Sequence, residues 1–152
     1  MKVLIVTYYW PPSGGGGVQR WLKFATYLDK LGCDCTIYTP SNPDVPIMDS
    51  SLLDDVPTSI KVLTTPISEP SRILKRITGR SGSNRIGASG GGGKKSLFSR
   101  FSLWVRGNFF IPDARVGWVK PSVEFLKGWL VKNKVDAIIT TGPPHSMHLI
   151  GL

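Results

Sequence analysis

Four consecutive glycines, Gly14 to Gly17, stand between the apolar run Val3-Leu4-Ile5-Val6 and a helical pattern that opens at Val18. No other part of the chain constrains the fold as strongly. A short apolar run bounded by turn residues reads as a buried strand, and glycines let the backbone turn sharply and approach another group closely. The free N–H groups and positive dipole end of the following helix favour negative charge at the same place. The ligand suggested is a nucleotide or a sugar phosphate.

After the glycines, Val18, Trp21, Leu22, Ala25, Leu28 and Leu31 recur at helical spacing, while Gln19, Arg20, Lys23, Asp29 and Lys30 occupy the other face. Gly32 is expected to end this helix, and Cys35-Thr36-Ile37-Tyr38-Thr39 supplies a β-prone run before Pro40. Residues 2–39 therefore read as a βαβ unit with a parallel strand pair. The dinucleotide motif G-x-G-x-x-G does not fit, because Gln19 stands where its third glycine belongs and positions 18 to 21 hold no glycine. A Walker phosphate loop is excluded too, since no Gly-Lys-Ser or Gly-Lys-Thr follows.

Further along, residues 43–58, with Pro43, Pro46 and Pro57, read as an irregular connection, and Ile60-Lys61-Val62-Leu63-Thr64 as a strand. Pro121 to Lys134 is expected to be a helix with the proline at its first position, followed by a buried strand from Val135 to Thr141. Alternating strands and helices give an α/β sheet, whose ligands bind beyond the carboxyl ends of the strands. Gly14 to Gly17 and Gly142-Pro143-Pro144-His145 each follow such a strand, so both loops should open on one edge. His145 and Ser146 would then lie near a helix start, where an imidazole can donate to a sugar hydroxyl or a phosphate. His148, one turn on, is expected to pack.

The formal charge is +9, from 19 Lys and Arg against 10 Asp and Glu. Arg72, Lys75, Arg76, Arg80, Arg85, Lys94, Lys95, Arg100 and Arg106 fall in one stretch, interleaved with Ile73, Leu74, Ile77, Leu97, Phe98, Phe101 and Trp104. This is the pattern of a segment that lies on anionic lipid, and no nucleic-acid motif accompanies it. Within it, residues 81–95 have the Gly/Ser/Lys composition of a disordered linker. No run reaches membrane-spanning length and no signal peptide is recognisable. Cys33 and Cys35 have no matching Cys or His cluster, which makes them ordinary core or strand residues and fits a reducing cytoplasm.

Taken together, Tyr9-Trp10-Pro11-Pro12, Gly16-Gly17-Val18-Gln19-Arg20-Trp21, Tyr38-Thr39-Pro40-Ser41-Asn42-Pro43, Gly107-Asn108-Phe109-Phe110-Ile111-Pro112-Asp113-Ala114-Arg115 and Thr140-Thr141-Gly142-Pro143-Pro144-His145-Ser146 resemble a known family. The chain is similar to the N-terminal domain of retaining glycosyltransferases of family 4, the group-1 type with a GT-B fold of two facing Rossmann-like domains. The resemblance implies an α/β, Rossmann-like parallel sheet with helices on both faces. It implies sugar transfer from a nucleotide sugar, without a metal, to a cell-surface polysaccharide or glycolipid. Gly15, Gly16 and Gly17 match the donor-phosphate glycines, Gln19, Arg20 and His145 the acceptor side, and His145 is the candidate catalytic residue. Asp113 and Arg115 are expected in an internal ion pair or turn.

At 152 residues the chain suits a single acceptor-side domain. Much of the donor site of the resembled enzymes belongs to a C-terminal domain. The chain is therefore expected to be a domain truncated at its C-terminal end, inactive alone, and peripheral at the cytoplasmic face of a membrane through Arg72, Lys75 and Arg76. Two other classes remain open on the residues: a nucleotide-binding oxidoreductase domain, and a non-catalytic module for anionic surfaces.

Overall fold

The computed structural model describes residues 1–69 and 111–152, so the basic stretch with Arg72, Lys75 and Arg76 and the expected linker at 81–95 lie outside the described residues. Four parallel strands form one sheet in the order β3-β2-β1-β4. They are β1 (Lys2–Val6), β2 (Asp34–Pro40), β3 (Lys61–Thr65) and β4 (Ala137–Thr140). Helix α1 (Gly16–Lys30) follows β1, α2 (Val119–Lys132) precedes β4, and the short α3 (Ser146–Ile150) follows it. This is an α/β, Rossmann-like architecture.

β1 is central, which explains its unbroken apolar sequence: its successive side chains enter opposite faces, and both faces are covered. Val3 and Ile5 pack with Val18, Leu22 and Ala25 of α1, together with Cys35 and Ile37 of β2. Leu4 and Val6 face the other way, into Tyr38, Trp118, Leu126 of α2 and Met147 and Ile150 of α3. Tyr38 and Trp118 stack there, their ring centroids 5.0 Å apart. Cys33 and Cys35 are both free thiols, and burial pushes the Cys35 thiol above its usual range.

Several local expectations shift by a residue or two. The β3 strand is Lys61–Thr65 rather than 60–64, and β4 is shorter than the apolar run 135–141. Among the described residues both lie at the edges of the sheet, each paired with one neighbouring strand. Helix α2 begins at Val119, two residues before Pro121. A proline is tolerated there because the first four N–H groups of a helix have no intrahelical partner. Gly32 does end α1: at φ +81° it sends its N–H to Asp29 O while Cys33 N–H reaches Leu28 O, the paired bonds of a Schellman motif. Leu31 departs most from the apolar-face reading, since it is 79% exposed.

Candidate functional site

The chain runs from β1 outward to β2 and β3, then returns to add β4 on the opposite side of β1. Between β1 and β4 the strand order reverses, and in open α/β sheets ligands bind in the crevice that such a reversal leaves at the carboxyl edge. The two loops singled out in the sequence flank this crevice. They are joined at the base by buried threonines: Thr141 Oγ1 donates to Thr7 Oγ1 at 3.1 Å, and Thr141 N–H donates to Val6 O.

The four glycines do not share one task. Gly14 is pinned, its N–H on Ile47 O, and a Cβ there would fall 2.8 Å from Ile47 Cγ2. Gly15 is the N-cap of α1 at φ +103°, ψ 169°, a backbone conformation open to glycine almost alone. Its carbonyl accepts the N–H groups of Val18 and Gln19. Gly16 and Gly17 carry no positive φ and are exposed, and a Cβ on Gly16 would meet nothing within 4 Å. Among these four glycines, the need for positive φ thus falls on Gly15 alone. No side chain caps α1 and no acidic residue lies in its first turn. Among the described residues, the N–H groups of Gly15, Gly16 and Gly17 have no acceptor, so this helix start is open to an anion.

On the β4 side the corresponding position is filled. Asp113 Oδ2 accepts the Ser146 N–H at 2.8 Å, and Oδ1 accepts both the Ser146 hydroxyl and the Arg115 N–H at 2.8 Å. Burial works against the Asp113 charge, but the bonds from Ser146 and Arg115 and the Arg115 charge outweigh it and hold its carboxyl below the usual range. His145 is exposed and stands just before α3. His148 is also exposed rather than packed, and its Nδ1 pairs with Thr140 Oγ1 at 2.8 Å. Both rings lean over Gly142: a Cβ there would lie 2.9 Å from His148 Nε2 and 3.3 Å from His145 Nδ1. A side chain at this position would have to displace one of the rings.

Gln19 and Arg20 are exposed, and the Arg20 guanidinium rests 5.9 Å from the Trp21 ring centroid, along α1. A buried cluster that the sequence did not reveal backs the crevice. Tyr8 OH donates to Glu69 Oε1 at 2.8 Å, Asp44 N–H donates to Glu69 Oε2, and Arg115 Nε lies 3.0 Å from Glu69 Oε1. That last contact is an ion pair whose N–H is not aimed at the oxygen, since Arg115 Nε lacks a hydrogen-bond partner. The Arg115 guanidinium also covers the Tyr8 ring at 5.0 Å. Burial pushes the Tyr8 phenol well above its ordinary value, the Arg115 charge opposing. Arg115 and Asp113 are thus used internally. Glu69 stands 46 residues before Arg115 in the sequence, and no local pattern pairs them.

A groove of about 230 Å³ opens on the far side of the β1 loop, between Trp10, Pro12, Thr39, Pro43, Met48 and Val62. No charged side chain lines it, so it is a poorer place for a phosphate than the crevice at the strand-order reversal. Among the described residues, no group of three or more His, Cys, Asp or Glu is placed to hold a metal, and no helix is long and apolar enough to cross a membrane. No protein-family model, curated protein or solved structure matches this chain.

Proposed function

We propose that the chain is the acceptor-side domain of a retaining, nucleotide-sugar-dependent glycosyltransferase acting on a cell-surface polysaccharide or glycolipid at the cytoplasmic face of a membrane. The observation that carries this reading is the open N-terminus of α1 at the strand-order reversal, with Gly15, Gly16 and Gly17 presenting unpaired N–H groups. In such a transferase, oriented donors stabilise the diphosphate as negative charge develops on it. His145, on the opposite loop, is the group that donates to a sugar hydroxyl. Gln19 and Arg20 line the acceptor side. No metal takes part, and a second domain of the kind found in the resembled enzymes completes the donor site.

The oxidoreductase reading is weaker at the end of β2. A ribose diol there would call for a carboxylate, and the strand ends in Thr39 and Pro40, followed by Ser41 and Asn42.

Amide spectra of the labelled chain test the proposal directly. Titration with a panel of nucleotide sugars should move the Gly15, Gly16 and Gly17 amides, and Gly16→Val should suppress the response. Glycoside formation by these residues alone is expected to be undetectable, because in the resembled enzymes half of the positioning groups belong to the second domain. In the full-length protein His145→Ala should lower turnover roughly tenfold to a hundredfold, the equivalent of losing one hydrogen bond to a charged or reacting group. A response to nicotinamide dinucleotides alone, or full activity of His145→Ala, overturns the reading.

A further inference from the structure

Among the described residues, helix α1 has an outward surface that its packing on the sheet does not use. Val18, Leu22 and Ala25 are its buried positions. Arg20, Phe24 and Tyr27 each lie two residues beyond one of these, which turns them by about 200° on a helix of 3.6 residues per turn. Leu31 continues the same ridge one turn later. The line most distant from the core is where an amphipathic helix ordinarily places polar residues. Here it carries Phe24 at 56%, Tyr27 at 64% and Leu31 at 79% exposure. Single exposed apolar residues are ordinary, but a continuous ridge of them marks a surface that meets something.

The charges around the ridge select what it meets. Arg20 packs over Trp21 and Lys30 Nζ lies 5.6 Å from the Tyr27 ring centroid, so both cations lean along the aromatic side chains. Long cationic side chains that cover apolar surface while keeping their heads in water suit the boundary between headgroups and acyl chains. Two carboxylates on one flank of α1 are engaged: Asp29 accepts from the Ser59 hydroxyl, and Asp55 pairs with Lys23. The ridge itself holds no acid. Protein interfaces are depleted in lysine, and a second copy docked on the same ridge would bring Arg20 and Lys30 against their own counterparts.

We propose that the outward ridge of α1, Arg20-Phe24-Tyr27-Leu31 with Lys30, docks on an anionic lipid surface. Phe24 and Leu31 enter the headgroup boundary and Arg20 and Lys30 meet lipid phosphates. These residues are separate in the sequence from the basic stretch around Arg72, Lys75 and Arg76. Under the proposed transferase function, which this orientation deepens, a helix lying on the membrane with its N-terminus at the crevice sets the site beside the headgroups that carry a lipid acceptor. The docking itself needs neither donor nor acceptor.

Flotation of the 152-residue chain with vesicles tests the surface without any nucleotide. Vesicles of equal phosphatidylglycerol and phosphatidylcholine should carry the protein upward, and pure phosphatidylcholine vesicles should carry much less. Phe24→Ser with Leu31→Ser should weaken binding to the anionic vesicles about tenfold or more. Arg20→Gln with Lys30→Gln should weaken it by a similar factor and flatten its dependence on salt, each cation near the surface being worth about fivefold. Val131→Ser, an 82% exposed position on α2, should leave binding unchanged. All these positions are exposed, and unaltered circular dichroism and urea midpoints confirm that the variants fold. The proposal is overturned if the chain ignores anionic vesicles, or if both α1 variants bind like the parent, which would place the contact elsewhere. A concentration-dependent dimer in sedimentation that the Phe24/Leu31 variant abolishes, without any vesicle effect, overturns it in favour of a second copy.

Discussion

The loops that leave β1 and β4 begin alike, at the bonded pair Thr7 and Thr141, and each ends at a helix start on the same edge of the sheet. They end in opposite electrostatic states. After β4, the first N–H of α3 already has its anion, the carboxylate of Asp113. After β1, the helix start has only glycine, with neither side-chain cap nor acid in its first turn. A helix N-terminus is therefore not in itself a ligand site. Of these two helix starts, only the one on the β1 side is left without an internal anion.

The strongest way to break this comparison is to empty the filled end. Asp113→Ala removes three hydrogen bonds from a carboxylate and should cost about 2–4 kcal/mol in urea unfolding, a helix cap plus part of the bonds to a charged group. A loss below about 0.5 kcal/mol would mean that α3 needs no internal anion. The next effect comes from the open end. Gly15→Ala should cost about 1–3 kcal/mol because φ +103° is forced on a residue with a Cβ, whereas Gly16→Ala, in open space, should stay within about 0.5 kcal/mol of the parent. Equal effects at both positions would erase the division of labour among the glycines.

Acid sharpens the contrast further. The Asp113 carboxyl is held below its ordinary range in the folded chain, so its contribution is complete above the unfolded pKa near 4 and is lost as pH falls through the lower folded value. Stability of the parent should therefore drop more between about pH 4 and pH 2 than that of Asp113→Asn. An identical acid profile would remove Asp113 as the titrating cap. The smallest effects belong to the histidines. His148→Ala loses the Thr140 contact and should cost roughly 0.5–1.5 kcal/mol, while His145→Ala should change stability by under about 0.5 kcal/mol. If His145→Ala destabilises as much as its neighbour, the ring is structural and unfit for the acceptor role.

Much of the fold was legible because its signals are local. The apolar run of β1, the helical spacing from Val18 to Leu28 and the terminal Gly32 each need only a few neighbouring residues to be read. The edge of the sheet on which both loops open also followed, since parallel strands share a carboxyl end. Harder to read were the features that depend on partners far away. Asp113 meets Ser146 across 33 residues, and Glu69 meets Tyr8 across 61. Leu31 follows Leu28 at a spacing of three in the sequence, yet its angle carries it onto the outward ridge of α1, and it is exposed. His148 sits at an apolar-looking position, but α3 turns it outward over Gly142.

The sequence by itself determined the parallel α/β class, the βαβ unit and a glycine-rich helix start, because strand and helix periodicity and glycine's backbone freedom act over a few residues. Only the tertiary structure decided which helix start stays open, which glycine bears the positive φ, and which carboxylates are spent internally. Those outcomes depend on the packing that brings Asp113 to Ser146, Ile47 to Gly14 and Glu69 to Arg115, pairings set by burial and hydrogen-bond satisfaction across the whole sheet rather than by any stretch of chain.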